Sequence, residues 1–487
     1  MLTANMTSPA RPAKRDALRW LLPAAILLAM LIGGSSRADV LPLLILRPLS
    51  ALLLVFGVYC YGGAAWRQSP ALMALALGVV LLAVAHVVPL PPVLWSMLPG
   101  RDVIVQTYEV AAMPLPWLSL SMSPAGAWNA LFSLMLPLAV LILALAAKPD
   151  DRVRALKWVM VIALISGFIG LLQILGPPRG PLYFYKVTNA GAAVGFFANR
   201  NHQAVLMASL FPLLATYAAL ADNSRGRLQL HRAIAIAAAA FIAPMILVTG
   251  SRNGLVLGAV GLVLAVWVYG KGTEKPAVKS ATMRWRQWSP IAVVAALVGL
   301  SLLTIVASRG VAFQRLVDLD ASQDLRLKAL PTVVRIVGDT FPWGSGMGSF
   351  DEVYRHYEPG QLLSPNYFNH AHNDWLEVVM TGGLPAIFLA LVAIVYFLLV
   401  LVAVLKQKER GSSHRRRLIS ARCAIVILLL LAIGSIAEYP ARTPSLAVLG
   451  VLCAAILTGV RKVDMGDSSR DRRAASNRDH DSGEILV

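Results

Sequence analysis

Residues 370–405 read HAHNDWLEVVMTGGLPAIFLALVAIVYFLLVLVAVL, and this segment indicates the architecture of the whole chain. It begins with a polar, titratable part, His370–Glu377, and continues into an apolar run over 383–405. An apolar run of about 20 residues is long enough to cross the hydrocarbon core of a bilayer as a helix. The segment therefore predicts a border between a polar loop and a transmembrane helix, where side chains can do chemistry at a membrane surface.

Similar apolar runs recur on both sides of this segment. Hydrophobic residues make up 57% of the 487 residues and charged residues 14%, whereas soluble domains carry about a quarter charged residues. Backbone polar groups cannot remain unpaired in lipid, and the alternating pattern of a membrane barrel is absent, so the runs are predicted to be helices. We predict an all-α polytopic membrane protein with about twelve transmembrane helices. The predicted spans are residues 18–33, 40–60, 70–88, 128–147, 155–175, 201–221, 233–249, 254–270, 290–307, 383–405, 422–437 and 445–460.

The net charge of +19 is a topology signal and does not indicate nucleic-acid binding. With the N-terminus inside, most of the Lys and Arg residues fall in cytoplasmic segments, as the positive-inside rule expects. Both termini are therefore predicted to be cytoplasmic. The N-terminal segment could also pass for a signal peptide, but a retained first helix agrees better with the charge distribution. Cys60, Cys423 and Cys453 lie in or beside apolar helices, without the spacing of a metal or redox motif.

Three exported connections are long, at about 89–127, 176–200 and 308–382. The last lies between the ninth and tenth predicted helices and contains the turn Pro342–Gly348, so we expect it to be ordered. Residues 1–462 are predicted to form one transmembrane domain that includes this loop. Residues 463–487, rich in Arg, Asp and Ser, are predicted to be a disordered cytoplasmic tail.

Two arginines are predicted to lie at the exported surface. Arg252, in the turn Thr249–Gly254, can snorkel to lipid phosphate or grip a phosphate-bearing lipid with paired hydrogen bonds. Arg326 projects onto the same face of a predicted loop helix as Leu330, Val333 and Val337. An arginine on a packed face needs an anionic partner. That partner can be a substrate or one of the nearby carboxylates, which are Asp318, Asp320 and Asp324.

The histidines of the 370–377 segment allow two kinds of chemistry. His370 and His372 would share a side of an extended chain, so a metal site completed by His356 or Asp374 is conceivable. A neutral histidine beside an acidic residue can instead take a proton from a hydroxyl, because its pKa suits neutral pH.

Two further polar motifs are predicted on the exported side. Asn199, Arg200 and Asn201 lie at the start of the sixth predicted helix, where an asparagine can cap the helix or contact a polar substrate. Glu438 and Arg442 link the last two predicted helices and are expected to form a local ion pair. The predicted topology puts all five motifs on one face of the membrane. Two arginines, a histidine and several amides there suit a lipid pyrophosphate and a sugar.

The ordered set of motifs resembles the O-antigen ligase superfamily, which includes O-antigen polymerases and some O-linked oligosaccharyltransferases. The set comprises Phe-x-Asn-x-Asn from Phe197, Ser-Arg-x-Gly from Ser251, Arg326 with Pro-x-Gly-x-Gly-x-Gly from Pro342, His-Asn-Asp-x-Leu from His372, and Gly-Leu-Pro from Gly383. The resemblance is strongest over about residues 195–400. The chain departs from the family pattern at Ala386, where Gly or Thr is more usual.

The resemblance implies an enzyme that moves a glycan from undecaprenyl pyrophosphate to an acceptor hydroxyl. It implies no metal and no cofactor, and it assigns essential roles to Arg252, Arg326 and His372. Asn199, Arg200, Asn201, Asn373 and Asp374 are the predicted substrate-binding residues. The acceptor is lipid A–core in ligases and a growing lipid-linked glycan in polymerases, which are the alternative within the family.

The implied location is the bacterial inner membrane, with membrane lipids as neighbours and the active face in the periplasm. A rival reading of the hydropathy is a twelve-helix transporter or flippase. A transporter should carry polar residues near the midplane of several helices and commonly shows internal repeats. This chain has no evident repeat, and its conspicuous polar groups lie at helix ends. Arg47, inside the second predicted span, is the exception.

Overall fold

The computed structural model describes residues 11–221, 225–270, 299, 321–363, 368–407 and 411–459. About 76% of the structure is helical. Two-residue strands, β1 (Pro89–Leu90) and β2 (Leu118–Ser119), pair antiparallel between helices α3 and α6. The helices in chain order are α1 Arg11–Ile32, α2 Leu43–Gln68, α3 Pro70–Val87, α4 Pro92–Trp95, α5 Asp102–Val110, α6 Pro124–Ser133, α7 Met135–Ala146, α8 Pro149–Leu175, α9 Arg200–Ala219, α10 Arg225–Val248, α11 Arg252–Gly270, α12 Ala321–Thr340, α13 Phe350–Tyr357, α14 Asp374–Lys406, α15 Gly411–Gly434 and α16 Pro444–Gly459.

The all-α polytopic class is confirmed by the length and apolar character of these helices. Among the described residues, nine helices are long and apolar enough to cross a membrane, with α6 and α7 counted as one continuous segment. Two shorter apolar helices, Ala17–Ile32 and Pro444–Gly459, coincide with the first and last predicted spans. The ninth predicted span, 290–307, lies outside the described residues except for residue 299, and the predicted tail, 463–487, lies wholly outside them. The count of twelve therefore stays a prediction.

Helix α9 runs through the centre of the molecule and packs closely against α11. Small residues make this approach possible: a Cβ on Gly254 would lie 2.4 Å from the Cβ of Ala204, and one on Gly261 would lie 2.8 Å from the Ala208 carbonyl oxygen. Such small-residue contacts are a main source of helix association in membranes, where lipid removes most of the hydrophobic driving force. The contact also fixes the N-terminal end of α11, where Arg252 lies, beside the N-terminal end of α9.

Arg47 on α2 has local partners that account for its position in an apolar helix. One Nη group donates to the side-chain carbonyl of Asn129 on α6, and the guanidinium lies 5.9 Å from the ring of Phe132. A charged side chain within a membrane helix is tolerated when protein groups replace its hydration. Arg47 therefore has a packing role in the α2–α6 contact.

The described part of the long loop is ordered and carries two helices, α12 and α13. They form a small apolar core with the start of α14; its buried members are Ala329, Val333, Ile336, Phe350, Val353, Tyr354 and Met380. The predicted loop helix is confirmed, but its buried face is rotated from the predicted one. Leu330 is 43% exposed, whereas Ala329 and Ile336 are buried with Val333. Arg326 lies on this buried face, half-buried, as expected.

The last loop residues and the tenth predicted span merge into one long helix, α14, which starts at Asp374 and not at 383. Its regular geometry is interrupted at Gly383, which has φ 56° and ψ −152°. At this break the Leu384 N–H donates to the Pro342 carbonyl, and the N–H groups of Ser345 and Gly346 donate to Met380 and Thr381. The glycine-rich turn after α12 is thereby fastened to the first part of α14, next to the 370–377 segment.

Candidate functional site

Four segments meet at one end of the helix bundle. They are the start of α9, the first part of α12, residues 368–377, and the connection 435–443 between α15 and α16. The sequence analysis predicts site residues in each of these segments. They are far apart in the chain, since 237 positions separate Asn201 from Glu438. Their convergence produces two adjacent groups of charged side chains, which we call the Glu438 cluster (Asn201, Arg326, His372, Glu438) and the Arg442 cluster (His370, Asp374, Glu377, Arg442).

Glu438 is the centre of the first cluster and is almost fully buried, with 1% of its side chain exposed. Its Oε1 accepts from Arg326 Nη1 at 2.8 Å and from the side-chain amide of Asn201. Its Oε2 lies 3.3 Å from His372 Nδ1. Three residues predicted to belong to the site therefore share one carboxylate.

The charge state of Glu438 determines how His372 is oriented. Burial alone would raise the pKa of Glu438, but the hydrogen bond from His372 and the charge of Arg326 together lower it to about 2. An ionised carboxylate only accepts hydrogen bonds, so His372 Nδ1 must donate. In the neutral tautomer that results, Nε2 is the ring nitrogen left to take a proton. This is the arrangement in which a carboxylate positions a histidine for general-base work.

The buried ring of Tyr439 lies between the two clusters and contacts a histidine of each. Its ring centroid lies 4.9 Å from that of His372, 4.4 Å from that of His370 and 5.0 Å from that of His202. Burial and the neighbouring charge of Glu438 raise the pKa of Tyr439 above its usual range. The three imidazoles are therefore held by one neutral phenol, and His372 retains little freedom to rotate away from Glu438.

The Arg442 cluster joins the start of α14 to the 435–443 connection. Arg442 Nε lies 2.6 Å from Asp374 Oδ1, and its Nη1 lies 3.1 Å from Glu377 Oε1. Glu377 also accepts from His370 Nδ1 at 3.0 Å and from the Ala371 N–H at 2.8 Å. Burial lowers the pKa of Arg442, but the charges of Glu377 and Asp374 outweigh this and raise it. The ion pairs of Arg442 with Asp374 and Glu377 therefore hold the 370–377 segment against the 435–443 connection.

The backbone around His372 is shaped by the helix that follows it. Asn373 caps α14, with its side chain accepting from the Leu376 N–H at 3.0 Å. His372 has φ 50°, the left-handed region that non-glycine residues rarely adopt. Such backbone strain is concentrated at functional sites, where surrounding contacts maintain it. Here the contacts are the Asn373 cap, the Asp374 N–H to Ser435 carbonyl bond and the Glu438 carboxylate.

The predicted residues at the start of α9 have different partners. Asn199 is the N-cap of α9, and its side chain accepts from the Asn201 N–H at 2.8 Å. This is the capping role, one of the two roles predicted for the asparagines here. The Arg200 N–H donates to the Asn189 side chain at 2.9 Å, which ties the 176–199 loop to the start of α9. The side-chain amide of Asn201 donates to the Glu438 carboxylate.

Arg252 is the first residue of α11 and is half-buried. The next residue, Asn253, donates to the carbonyl of Gly434 at 3.2 Å, at the end of α15 and four residues before Glu438. Gly254 packs against Ala204 on the first turns of α9. The backbone of Arg252 is therefore at the same end of the bundle as the Glu438 cluster.

The arrangement of acidic residues bears on the metal alternative. His370 and His372 each direct Nδ1 to a different carboxylate, Glu377 and Glu438, and both rings lie against Tyr439. Within the described ranges, no group of three or more His, Cys, Asp or Glu side chains could hold a metal ion. A site built from His370 and His372 with His356 or Asp374 therefore has no support in this geometry.

One ion-pair prediction needs correction. The expected local pair between Glu438 and Arg442 is wrong: Glu438 pairs with Arg326, and Arg442 pairs with Asp374 and Glu377. Arg326 pairs with Glu438; the nearby carboxylates of Asp318, Asp320 and Asp324 lie outside what the structure describes, so that alternative stays untested. Sequence spacing misassigned Glu438 because its partners are brought to it by three other elements. The signal in the sequence that could have indicated a larger role is that Glu438 is the one acidic residue between the last two apolar spans.

Comparison with known families agrees with this geometry. Residues 236–391 match the family model described as O-antigen ligase, a range that includes Arg252, Arg326 and His372. A search of curated proteins found no match. The match covers about a third of the chain and supports its membership of the O-antigen ligase superfamily.

Proposed function

We propose that the protein transfers a glycan from undecaprenyl pyrophosphate to an acceptor hydroxyl at the periplasmic face of the inner membrane. The observation that carries the proposal is the Glu438 cluster, in which one buried carboxylate holds both His372 and Arg326. A general base and a cationic group are then fixed within the reach of one substrate, which is what transfer from a phosphate leaving group requires.

Arg326 and Arg252 are the groups proposed to hold the donor pyrophosphate. Arg326 uses Nη1 for Glu438, and its side chain remains 24% exposed. A guanidinium has five N–H donors, so the others can still reach phosphate oxygens. The half-buried Arg252 supplies a second guanidinium from the α11 side. Cationic donors of this kind stabilise the negative charge of the leaving phosphate, typically by a few kcal/mol each.

His372 is proposed to act on the acceptor. As the acceptor oxygen attacks the anomeric carbon, its proton passes to His372 Nε2, and the bond between that carbon and the phosphate oxygen breaks. Undecaprenyl pyrophosphate leaves with the bonding electron pair. A single displacement of this kind inverts the anomeric centre, and the imidazolium that forms is stabilised by the Glu438 carboxylate. General-base assistance contributes about 10²–10⁴-fold to such reactions.

Asn199, Arg200, Asn201, Asn373 and Asp374 were predicted to bind substrate, and the geometry supports different roles for them. Asn373 and Asn199 cap helices, and Asp374 holds Arg442, so we propose that these three position the site. Asn201 hydrogen-bonds Glu438 and is proposed to keep that carboxylate aligned. Arg200 remains a proposed contact for the glycan or lipid headgroup.

The acceptor is proposed to be lipid A–core, as in O-antigen ligation. A polymerase, in which a growing lipid-linked glycan is the acceptor, would use the same donor chemistry. Proton-coupled transporters also contain histidine–carboxylate pairs, so glycan transfer is preferred over a transporter or flippase because residues 236–391 match the O-antigen ligase family.

The test is transfer by the purified protein in nanodiscs. The protein is supplied with an undecaprenyl-pyrophosphate-linked glycan and, in parallel, with lipid A–core or a second lipid-linked glycan. Glycan found on lipid A–core indicates a ligase, and a lengthened lipid-linked glycan indicates a polymerase. Absence of transfer with either acceptor, together with passage of the lipid-linked glycan across the bilayer of proteoliposomes, would replace the proposal by the transporter function. A chelator in the assay tests metal independence, since the mechanism requires unchanged transfer.

A further inference from the structure

A groove lies at the end of the bundle opposite to the Glu438 cluster. It is formed by the early turns of α8, the last turns of α9 and the early turns of α10, and it encloses about 430 Å³ including space open to solvent. Helix α9 begins at the Glu438 end and finishes here, so the two sites are separated by the length of a membrane-spanning helix. The positive-inside rule predicts this end to be cytoplasmic.

Two basic side chains line the groove. Lys157 on α8 is exposed. His231 on α10 is half-buried and fixed in place: its Nδ1 donates to the Arg227 carbonyl at 2.7 Å, and its ring centroid lies 4.7 Å from that of Tyr217. With Nδ1 occupied, Nε2 is the nitrogen that can gain a proton and donate to an anion.

Most of the remaining lining is apolar and buried. Leu156 and Met160 contribute from α8, and Leu213 contributes from α9, each with less than a tenth of its surface exposed. The groove thus has two basic side chains at its edge and apolar side chains along its inner surface. Thr216 does not add a polar group to it, because its hydroxyl donates to the Pro212 carbonyl at 2.8 Å.

The two basic groups lie at similar distances from the starts of their helices. Lys157 lies eight residues into α8 and His231 six residues into α10, which corresponds to about 12 Å and 9 Å from the helix starts. The acidic residues at the start of α8 do not neutralise these basic groups, because Asp151 pairs with Arg154 and Asp150 pairs with Arg416.

We propose that this groove binds an anionic phospholipid of the cytoplasmic leaflet. Its phosphate lies between Lys157 and His231, and the first part of an acyl chain lies along Leu156, Met160 and Leu213. Basic pockets between transmembrane helices on the cytoplasmic side are suited to anionic headgroups. The proposal does not depend on the glycan-transfer function, because none of these residues belongs to the Glu438 or Arg442 cluster.

The test uses the full chain in phosphatidylcholine nanodiscs with a minor amount of spin-labelled lipid. The ratio of protein-associated phosphatidylglycerol to phosphatidylcholine label is measured by electron paramagnetic resonance. The wild-type protein is expected to prefer phosphatidylglycerol. Lys157→Gln and His231→Gln should each reduce that preference, by about fivefold at most for one basic group near a membrane surface.

Lys148→Gln is the matched control, because Lys148 is an exposed lysine at the start of the same helix and does not line the groove. It should leave the preference unchanged. An equal loss in Lys148→Gln would indicate a diffuse surface potential, and no loss in the Lys157→Gln/His231→Gln double variant would remove the site. Soluble glycerol phosphate should fail to displace the label because it lacks an acyl chain; displacement would convert the groove into a site for free phosphate and overturn the lipid proposal.

Discussion

At the scale of single residues, Glu438 explains more of the site than any other side chain. It links the helix that bears Arg326, the segment that bears His372 and the start of α9 that bears Asn201. Removing one partner of a buried ion pair leaves the other charge without compensation, which typically costs about 3–5 kcal/mol. Substitutions at Glu438 should therefore act on both stability and activity, and the two effects can be separated by pH.

Glu438→Gln keeps the shape of the side chain and removes its charge. Because the pKa of Glu438 is lowered to about 2 from 4.5, its ionised form stabilises the fold fully above about pH 4.5. That contribution is lost as the pH falls from 4.5 towards 2. The difference in melting temperature between wild type and Glu438→Gln should therefore be large at neutral pH and shrink below pH 4.5, as measured by thermal unfolding in detergent. A difference that does not change with pH would mean that the carboxylate charge is not the stabilising feature.

His372→Ala should abolish or severely reduce transfer while leaving binding of the lipid-linked donor largely intact, because the arginines hold the pyrophosphate. Binding is measured separately from transfer with a labelled lipid-linked glycan. His370→Ala is the matched control, since His370 pairs with Glu377 and packs on the same tyrosine. It should have the milder effect. Loss of donor binding in His372→Ala would move this residue from acceptor activation to donor recognition.

Arg252→Lys should lose most transfer activity, because an ammonium group cannot form the paired hydrogen bonds that a guanidinium offers to phosphate oxygens. The variant should still insert and accumulate, which immunoblotting of membranes would verify. Arg326→Lys should lose transfer similarly, with a lower protein level as well, because Arg326 also holds Glu438. Full activity of Arg252→Lys would support the snorkelling role and remove Arg252 from the donor site.

At the scale of elements, the site depends on a break within α14. The positive φ of Gly383 and the contact with the Pro342–Gly346 turn fasten the loop helices to the start of α14, where the 370–377 segment is held. A Cβ at Gly383 would lie 2.2 Å from the Pro342 carbonyl oxygen. The Pro342–Gly346 turn can therefore pack against α14 only because residue 383 is a glycine, and this packing places the loop helices next to the Glu438 cluster.

Gly383→Ala should destabilise the protein by more than the strain of a positive φ alone, which is of order 1–3 kcal/mol. It should lower both the melting temperature and the transfer activity. Gly338→Ala is the control, since Gly338 lies in α12 and nothing lies within 4 Å of its ideal Cβ position. That substitution should be neutral or slightly stabilising. Equal behaviour of the two variants would show that the break at Gly383 is dispensable.

At the scale of the whole molecule, the Glu438 and Arg442 clusters lie at one end of the helix bundle, and the start of α8 with Lys148, Arg154 and Lys157 lies at the other. This polarity makes a direct prediction about topology. Cysteines introduced singly at Gly360 and Ser412, in a background without Cys60, Cys423 and Cys453, should differ in accessibility. Gly360→Cys should react with a membrane-impermeant maleimide from the periplasm, and Ser412→Cys should react only after the membrane is permeabilised. The reverse pattern would invert the topology and the assignment of the active face.

The sequence alone determined the class of this protein, because apolar run length and the distribution of Lys and Arg are set by the bilayer and act locally. It also identified His372, Arg252 and Arg326 as candidates, since polar groups at helix borders stand out against an apolar background. The order of these motifs was enough to indicate the O-antigen ligase superfamily.

Only the tertiary structure decided which of these groups meet. Glu438 was predicted to pair with Arg442, four positions away, yet its partners come from three distant elements. The buried face of α12 and the break at Gly383 likewise depend on what packs against them. Pairing among buried charges is governed by distances between elements that are far apart in sequence, and local spacing carries no information about those distances.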